Sequence, residues 1–535
     1  MNGESYFMKS QNRIIHFGGQ KLVVSDEIAT DYNYHHLAVG DAMTPKLEQF
    51  NRILESTFNK SEDIIIFSAD FMSYLDQIVL EKLPSYQIFY ENLAGVSDDN
   101  VRILTLKGAQ PVELQDQGRQ IFQYIHNYYA RKAQGMSLNN SIIDIAERYK
   151  SSVVKKGSSE FEITGDFGPE FNQIMQWKQG FIWMGALNIY PEIELESAKI
   201  DYFYRVYQQT DTGVKFWDIS PELHAKGGLI HDFGVYREPL NFALFIKGSG
   251  TVRVGNINVR RALPDDNFLA VGGRRLADKR VGSRELGYYF NAGDLKPPLN
   301  VYFAGSRQAE TFEGRWMMGG FDAPFILFVD PRLTNGAFYR GDGFEERIIA
   351  TIEEKLSALN FDKSQLNIGG LSMGAYAALY YGARMQPHAI LAGKPLANIG
   401  GLTVKSRLTT PYGWDLAMNT VLLLKGKLNE ANAQEIDREF WDVFLTADFS
   451  ATTFAIAHML NDTDLPFQSI FDHLKANYPM SKLVHKGIEG RHNDDSPGIT
   501  NWFIKQFYGI LMTDFGRDYP AEELNPDEMW EIDNE

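Results

Sequence analysis

The amino-acid sequence predicts an α/β protein in which a β-sandwich separates two α/β units. Residues 295–515 alternate short apolar strands with amphipathic helices, the pattern of a mostly parallel sheet with helices on both faces. Residues 151–290 instead contain closely spaced strands with glycine turns, which is typical of a sandwich. With 535 residues, the chain is too long to form a single hydrophobic core.

The chain is divided where its composition and periodicity change. Residues 1–150 are predicted to form a small α/β domain, 151–293 the β-sandwich, and 294–517 the second, larger α/β domain. Residues 518–535 are predicted to be an acidic, mobile tail, because seven acidic residues and no Lys or Arg occur from Tyr519 onward.

The N-terminal unit is predicted from four segments. Segments 63–70, 85–92 and 101–108 are short apolar runs bounded by polar residues, which is the pattern of buried strands. Segment 120–133 has helical periodicity. No glycine-rich phosphate-binding sequence occurs in this unit.

The central unit is predicted from strands that alternate apolar and polar residues. The stretch "LNFALFIKGSGTVRVGNINVRRA" (240–262) is interpreted as two strands joined at Lys247-Gly248-Ser249-Gly250. Aromatic side chains in this unit either pack in the core or, where exposed, stack on sugar rings. Those considered for either role are Phe181, Trp183, Tyr190, Tyr202, Phe203, Tyr204, Tyr207, Phe216 and Trp217.

Composition excludes several classes of function. The net charge of −17 argues against non-specific binding of nucleic acid and against adhesion to an anionic membrane. The basic stretch 271–284 is interpreted as a solvated loop rather than a binding patch. The chain has no cysteine, which excludes disulfides and cysteine-based zinc sites. Without a signal peptide or a long apolar run, the sequence predicts a cytoplasmic protein.

A serine motif stands in the C-terminal unit. Gly370-Leu371-Ser372-Met373-Gly374 matches G-x-S-x-G, with an apolar strand before it and a small-residue helix after it. An ordinary strand–turn–helix joint is the alternative, but this context favours a nucleophile elbow at the edge of an α/β-hydrolase-like sheet. The Met373 N–H would then be one oxyanion donor, and Gly305 or Ser306, after an earlier strand, would supply the second.

A serine hydroxyl needs a base, and strand order selects a histidine for this role. His492 follows the last predicted strand, in a loop just before the closing helix, and it is therefore the predicted base. Histidines at less suitable positions along the chain are His388, His458, His473 and His485.

The acid is predicted at the C-terminal end of the strand before the last one. Asp462 is the first choice to orient His492, and Asp464 is the second; turn formation or helix capping is the alternative role of both. Asp494 and Asp495 could bind a metal, but adjacent carboxylates in a loop usually face solvent, so no metal is predicted.

These residues predict acyl transfer. His492 would take the proton of Ser372, whose oxygen would attack an acyl carbonyl to form an acyl-enzyme. Transfer to water would make an esterase, and transfer to a sugar hydroxyl an O-acyltransferase. No bound cofactor is predicted, and the sequence does not identify the acyl donor.

The same residues resemble a known family. "GGLSMGAYAALYYGARMQP" (369–387), the Asp462 region and "GRHNDDSPG" (490–498) resemble the second accessory secretory proteins of the accessory Sec system, which exports serine-rich repeat adhesins. The stretch "FALFIKGSGTVRVGNINVRR" (242–261) resembles the family's carbohydrate-binding-module-like sandwich. The resemblance implies a Ser–acid–His triad that includes Ser372 and His492. The family often has Glu at the acid position, where this sequence offers aspartates.

The resemblance also implies a role and partners. Family members O-acetylate N-acetylglucosamine on the adhesin and support its export. They act in a cytoplasmic complex with two other accessory Sec proteins, which associates with a motor ATPase at the membrane. A plain carbohydrate esterase and a non-catalytic, glycan-binding scaffold of the export complex remain the alternatives.

Overall fold

The fold was analysed in a computed structural model. It describes residues 12–40, 44–48, 50–51, 63–129, 135–138, 143–178, 180, 184–197, 199–235, 239–277, 284–333, 336–341, 343–409 and 415–519. The predicted tail lies outside these residues except for Asp518 and Tyr519, and so do Phe181 and Trp183. The strands of the described part form three hydrogen-bonded sheets.

The first sheet is built from the N-terminal part of the chain. Its strands are β1 (Asn12–Phe17), β2 (Tyr32–Leu37), β3 (Ile64–Phe67), β4 (Ile88–Tyr90) and β5 (Gln110–Pro111). They are parallel, in the order β2-β1-β3-β4-β5. The accompanying helices are α1 (Asp26–Asp31), α2 (Asp98–Leu106) and α3 (Arg119–Tyr128), with 3₁₀ turns at Ala69–Gln77 and Leu80–Lys82.

The predicted strand at 101–108 is wrong, because most of this segment belongs to helix α2. The Ser97 side chain caps the helix by accepting from the Asn100 N–H, and two aspartates follow it in the first turn, where negative charge is favourable. Ile103 and Leu104 are buried. A short apolar run is compatible with the period of a strand and with that of a helix. The N-terminal cap at Ser97 therefore favours the helix. The strands predicted within 63–70 and 85–92 are confirmed.

The second sheet is antiparallel and has ten strands among the described residues. It contains β6 (Gly135–Leu138), β7 (Ile143–Ile145), β8 (Val153–Lys156), β9 (Glu160–Trp177), β10 (Met184–Leu195), β11 (Ile200–Thr210), β12 (Gly213–Ile219), β13 (Leu229–Val235), β14 (Leu240–Arg261) and β18 (Ala309–Glu310). Helix α4 (Pro221–Ala225) and a 3₁₀ turn at Glu147–Ser152 flank it. The central path is β12-β11-β14-β10-β13, and β9 pairs with β14.

The prediction of two strands within 240–262 is wrong, because β14 is one continuous strand of 22 residues. Gly248 and Gly250 have φ values of 93° and 144°, where side chains are disfavoured. A Cβ on Gly248 would lie 1.9 Å from the Lys199 carbonyl oxygen. The glycines therefore bend the strand through shifts of register against β9 instead of ending it in a turn.

The third sheet holds the C-terminal part of the chain. Its strands are β15 (Gly273–Ala277), β16 (Glu285–Asn291), β17 (Leu299–Phe303), β19 (Phe325–Val329), β20 (Leu366–Leu371), β21 (Ala389–Gly393), β22 (Thr453–Met459) and β23 (Leu483–Ile488). The order is β15-β16-β19-β17-β20-β21-β22-β23. The pairs β15–β16 and β16–β19 are antiparallel, and the other pairs are parallel. The hydrogen bonding of this sheet thus begins before residue 294.

Helices cover both faces of the third sheet. Ile326 and Phe328 of β19 pack with one set of helices, whereas Phe325 and Leu327 pack with the closing helix on the other face. Strands buried on both faces are typical of parallel sheets. The helices are α5 (Arg315–Gly319), α6 (Phe344–Leu359), α7 (Met373–Met385), α8 (Ile399–Thr409), α9 (Asp415–Lys425), α10 (Glu430–Thr446), α11 (Phe467–Asn477) and α12 (Ser496–Phe515), with a 3₁₀ turn at Lys363–Gln365.

Buried polar contacts join the sheets. Arg260 of β14 forms ion pairs with Glu285 of β16 and with Glu310. Lys107, after α2, is fully buried and donates to the carbonyl oxygens of Leu83 and Gly293. In the described part of the chain, no helix combines the length and the apolar character needed to cross a membrane.

Candidate active site

The serine motif forms a sharp turn between β20 and α7. Ser372 has φ 55° and ψ −116°, a strained conformation for a residue with a side chain, and its N–H donates to Gly393 O at 2.8 Å. A Cβ on Gly374 would lie 2.0 Å from Phe303 O, and one on Gly370 would lie 2.2 Å from Gly374 O. Both glycines of the motif are therefore required by close backbone approach.

His492 lies in the loop between β23 and α12 and reaches the serine. Its Nε2 is 2.8 Å from Ser372 Oγ, within the range expected for a base that accepts the serine proton. The two residues are 120 positions apart in the chain. The His492 side chain is 9% exposed, so its orientation is held by the surrounding protein.

Asp462 completes the hydrogen-bonded chain. It follows β22, and its Oδ2 accepts from His492 Nδ1 at 2.7 Å. Its Oδ1 accepts from the Thr463 N–H at 2.6 Å and from Thr463 Oγ1 at 3.2 Å. With Nδ1–H bonded to the carboxylate, His492 presents a lone pair at Nε2 to Ser372.

The second candidate acid, Asp464, has a different contact set. Its Oδ2 accepts from the N–H groups of Ala397 and Asn398 at 2.7 and 2.8 Å, and its Oδ1 accepts from Asn398 Nδ2 at 2.7 Å. Asp464 thus fastens the segment before α8. Of the two aspartates, Asp462 is the one brought to His492.

The two predicted oxyanion donors have different surroundings. The Met373 N–H is the first amide of α7, which has no carbonyl partner within the helix and lies at the positive end of its dipole. Gly305 follows β17, whose Phe303 is in register with Gly370. The Gly305 N–H donates to Glu313 Oε2 at 2.7 Å, so a carboxylate holds this amide.

Lys394 is a polar residue of the site that the sequence analysis missed. It follows β21 with φ 51°, and its Nζ donates to Ser496 Oγ at 2.8 Å and contacts Asn493 Oδ1 at 3.5 Å. Burial lowers the pKa of Lys394, and the carboxylates of Asp462 and Glu313 oppose that shift. In the sequence, Lys394 directly follows the strand β21, which lies in the sheet between the strands that precede Ser372 and Asp462. This position could have indicated that Lys394 belongs to the site.

The other histidines are engaged elsewhere. His388 Nε2 bonds to Asp514 Oδ2 at 2.9 Å, and His458 stacks on Phe467 with ring centroids 4.2 Å apart. His485 also contacts Phe467. His473 bonds to Asn477 on its own helix, with 3.2 Å between Asn477 Nδ2 and His473 Nδ1.

The two acids beside His492 also have structural contacts. Asp494 pairs with Arg491, and Asp495 caps α12 by accepting from the Gly498 N–H at 2.9 Å. Within the described ranges, no group of three or more His, Asp or Glu side chains is arranged as a metal site.

The site therefore combines a strained serine, an imidazole in contact with it and a buried carboxylate behind the imidazole. This arrangement can deprotonate Ser372 as it attacks an electrophilic carbon and can stabilise the imidazolium that forms. The Met373 amide can donate to an oxygen that becomes negative. The chemistry that such a site supports is acyl transfer.

Comparison with known proteins gives matches to one family. The family model described as Accessory Sec system GspB-transporter matches residues 12–517. The second accessory Sec system protein of Staphylococcus aureus (strain NCTC 8325 / PS 47) is 38% identical over 393 residues, covering 70% of this chain and 73% of that protein. The corresponding protein of Streptococcus gordonii is 30% identical over 521 residues, covering 95% of this chain and 100% of that protein.

A solved structure also resembles the chain as a whole. It is a chain of the glycosylation associate protein (Gap123) complex from Streptococcus agalactiae, with a TM-score of 0.78 and 28% identity. The match covers 95% of this chain and 99% of that one.

Proposed function

The chain belongs to the accessory Sec system GspB-transporter family, and we propose that it is a serine-dependent O-acyltransferase of that export system. The observation that carries the enzymatic part is the continuous chain Ser372 Oγ–His492 Nε2, 2.8 Å, and His492 Nδ1–Asp462 Oδ2, 2.7 Å. The serine lies on a nucleophile elbow, and the order Ser, Asp, His along parallel strands is that of α/β-hydrolase enzymes.

These contacts support the following reaction. As Ser372 Oγ attacks the acyl carbonyl carbon, its proton moves to His492 Nε2, and Asp462 stabilises the resulting imidazolium. His492 then returns the proton to the leaving group as the acyl–serine ester forms. In the second half, His492 takes a proton from an acceptor hydroxyl, whose oxygen attacks the ester carbonyl, and His492 passes that proton to Ser372 Oγ as the serine leaves.

The proposed acceptor is supported by the family resemblance rather than by the geometry. We propose N-acetylglucosamine on serine-rich repeat adhesins as the acceptor and an acetyl group as the acyl group. If water takes the place of the sugar hydroxyl, the same site is a carbohydrate esterase.

A glycan-binding role is the second candidate, and an exposed face of the second sheet favours it. Phe203 and Phe245 stack with centroids 4.7 Å apart, and the Arg205 guanidinium lies 4.3 Å from the centroid of Phe216, which is 58% exposed. Arg205 also bonds to Asp218 at 2.7 Å. Aromatic faces beside fixed polar groups suit sugar rings, and a carbohydrate-binding-module-like unit would hold the adhesin near the acyl site.

The proposed setting is a cytoplasmic complex. The related solved structure is a complex, and the family resemblance adds two other accessory Sec proteins, a motor ATPase and an adhesin substrate as partners. In this setting the protein would reach the membrane through its partners.

The enzymatic proposal is tested with a fluorophosphonate probe and with the adhesin itself. We expect the probe to label the wild-type protein at Ser372 and to leave Ser372→Ala unlabelled. Ser357→Ala, at an exposed position on α6, is the matched control and should label like the wild type. Mass spectrometry of adhesin from cells with Ser372→Ala should show loss of O-acetyl groups.

Three results separate the candidates. Labelling with unchanged adhesin acetylation would contradict the transferase and favour an esterase. Absence of labelling in folded wild-type protein would contradict both enzymes and favour the glycan-binding scaffold. Export that fails on deletion but persists in Ser372→Ala would show that catalysis and export support are separable.

A further inference from the structure

The carboxylate of Glu313 is hydrogen-bonded to a backbone N–H that is expected to donate to the oxyanion during acyl transfer. Glu313 Oε2 accepts from the Gly305 N–H at 2.7 Å. Gly305 is the residue after β17 expected to donate to the oxyanion, and it is pressed against the elbow: a Cβ there would lie 3.3 Å from Leu371 O. A developing oxyanion and this carboxylate compete for the same N–H.

Glu313 also faces the cationic side of the site. The Glu313 carboxylate and Asp462 both act on the Lys394 ammonium, which is held by Ser496 Oγ at 2.8 Å. Glu313 is only partly buried, and it precedes the short helix α5 rather than lying within a regular element. The carboxylate can therefore leave the Gly305 amide and still find an opposite charge.

We propose that Glu313 is a specificity-determining residue of the acyl site, a displaceable occupant of the Gly305 donor that favours neutral acyl groups and disfavours anionic ones. The inference rests on the proposed acyltransferase function. A neutral acyl carbonyl displaces the carboxylate and takes the Gly305 N–H. An acyl group with its own carboxylate meets a like charge of Glu313 at close range, which is unfavourable in a partly buried site.

The covalent step is unchanged by this role. Ser372 Oγ bonds to the acyl carbon, its proton goes to His492, and the leaving group departs with the electron pair of the broken ester bond. With a nitrophenyl ester, the leaving group is nitrophenolate, so no further reactant is needed. Glu313 acts before this step, by deciding which acyl group reaches the donor.

Two esters test the proposal on the full-length chain: p-nitrophenyl acetate, with a neutral acyl group, and the p-nitrophenyl monoester of succinate, with an anionic one. Nitrophenolate release gives kcat/KM for each ester, and mass spectrometry locates the acyl group on Ser372. We expect Glu313→Gln to lower the acetate-to-succinate ratio by about tenfold, because the neutral amide removes the repulsion. We expect Glu313→Ala also to raise the acetate rate by about tenfold, because the charge-assisted bond to Gly305 is gone.

The controls separate this role from folding and from the function itself. Glu489→Gln removes an exposed carboxylate at the same edge of the sheet, where it contacts Asn461 at 3.3 Å, and should keep the wild-type ratio. Circular dichroism and the thermal midpoint check that each variant is folded. If Ser372 is acylated but both Glu313 variants keep the wild-type acetate-to-succinate ratio, or Glu313→Ala shows no gain in the acetate rate, this inference alone is overturned. No acylation in any folded protein overturns the proposed function as well.

Discussion

In the described part of the chain, two serine–histidine pairs have the same hydrogen-bond length but opposite surroundings. Ser372 Oγ is 2.8 Å from His492 Nε2 at the third sheet, and Ser68 Oγ is 2.8 Å from His16 Nε2 at the first. Each serine follows a parallel strand. The distance alone therefore does not identify a nucleophile.

The two pairs differ in the residue that contacts the second nitrogen of the histidine, in the backbone conformation of the serine and in the exposure of the serine hydroxyl. His492 donates to the Asp462 carboxylate, whereas His16 Nδ1 bonds to the hydroxyl of Tyr34 at 2.8 Å. Ser372 stands on a strained turn with φ 55°, whereas Ser68 has an extended backbone with φ −78° and is buried. A Cβ on Gly19 would lie 2.4 Å from Ser68 Oγ, so the chain covers that hydroxyl. We therefore expect the pair at the third sheet to be reactive and the pair at the first sheet to be structural.

The largest expected effect separates the two serines. Ser372→Ala should lower ester hydrolysis by about 10⁴-fold or more, because the nucleophile is lost. Ser68→Ala should leave the rate within about twofold and cost about 1 kcal/mol of stability through the lost hydrogen bond. Nitrophenyl acetate kinetics and urea unfolding measure the two quantities. Equal losses of activity in both variants would contradict the comparison.

The next largest effect distinguishes the residues that contact Nδ1 of the two histidines, Asp462 at His492 and Tyr34 at His16. Asp462→Asn should lower the acylation rate by about 10³-fold to 10⁴-fold, because an amide does not fix the histidine tautomer or stabilise the imidazolium. Tyr34→Phe, the matching change at the first sheet, should leave the rate unchanged. Asp464→Asn weakens the contacts of this side chain to the segment before α8. It should therefore lower the thermal midpoint of unfolding and have little effect on the acylation rate. A larger rate loss for Asp464→Asn than for Asp462→Asn would exchange the roles of the two acids.

The sequence carried the information for the reactive pair because its parts lie at ends of regular elements. The G-x-S-x-G motif lies between β20 and α7, Asp462 follows β22 and His492 follows β23, so strand order alone brings them to one edge. Which of Asp462 and Asp464 contacts His492 depends on the path of two residues after a strand. Hydrophobic periodicity does not specify that path.

The features that the sequence does not predict lie in loops and at bends within strands. The bond between Glu313 and the Gly305 N–H joins the loop after β17 to the turn before α5, and no periodic pattern encodes such a contact. Lys394 directly follows β21, and its own positive φ of 51° directs its side chain into the site. The glycines of segment 240–262 predict a turn, but glycine occurs in turns and in bulges alike, so they do not show that β14 continues through them. The covered pair at Ser68 has no motif, since its members come from β1 and from the residue after β3.

A smaller effect concerns the pH dependence of the structural pair. Burial lowers the pKa of His16 from 6.5 to about 4; repulsion from His36 adds to this shift and Asp70 opposes it. The fold favours the neutral ring, so its contribution is complete above about pH 6.5 and is lost as the pH falls toward 4. Between about pH 7.5 and pH 5, we expect a loss of about 2 kcal/mol in the opening free energy of the first sheet.

Hydrogen exchange of amides in β1 and β3 measures this opening free energy for one part of a large chain. The loss should be reduced in His16→Gln, which cannot take up a proton. An equal pH dependence in the wild type and in His16→Gln would show that other groups control the opening of the sheet.

The smallest effect concerns the cation that only the reactive pair possesses. Lys394 faces Asp462 and holds Ser496 of the helix that follows His492, and no lysine contact to the Ser68 pair is seen in the described part of the chain. Lys394→Met keeps the length of the side chain but removes its charge. We expect about a tenfold lower acylation rate, because the loop that carries His492 loses a charge-assisted bond.

A purely structural role of Lys394 would lower the rate at every pH to the same extent. Loss of a positive charge beside the site should also move the acidic limb of the pH–rate profile to higher pH, since protonation there becomes easier. Lys394→Arg keeps the charge and should restore that limb even where its shape does not restore the full rate. A profile of unchanged position in Lys394→Met would mean that the ammonium only supports the loop, and the electrostatic difference between the two pairs would then reside in Asp462 alone.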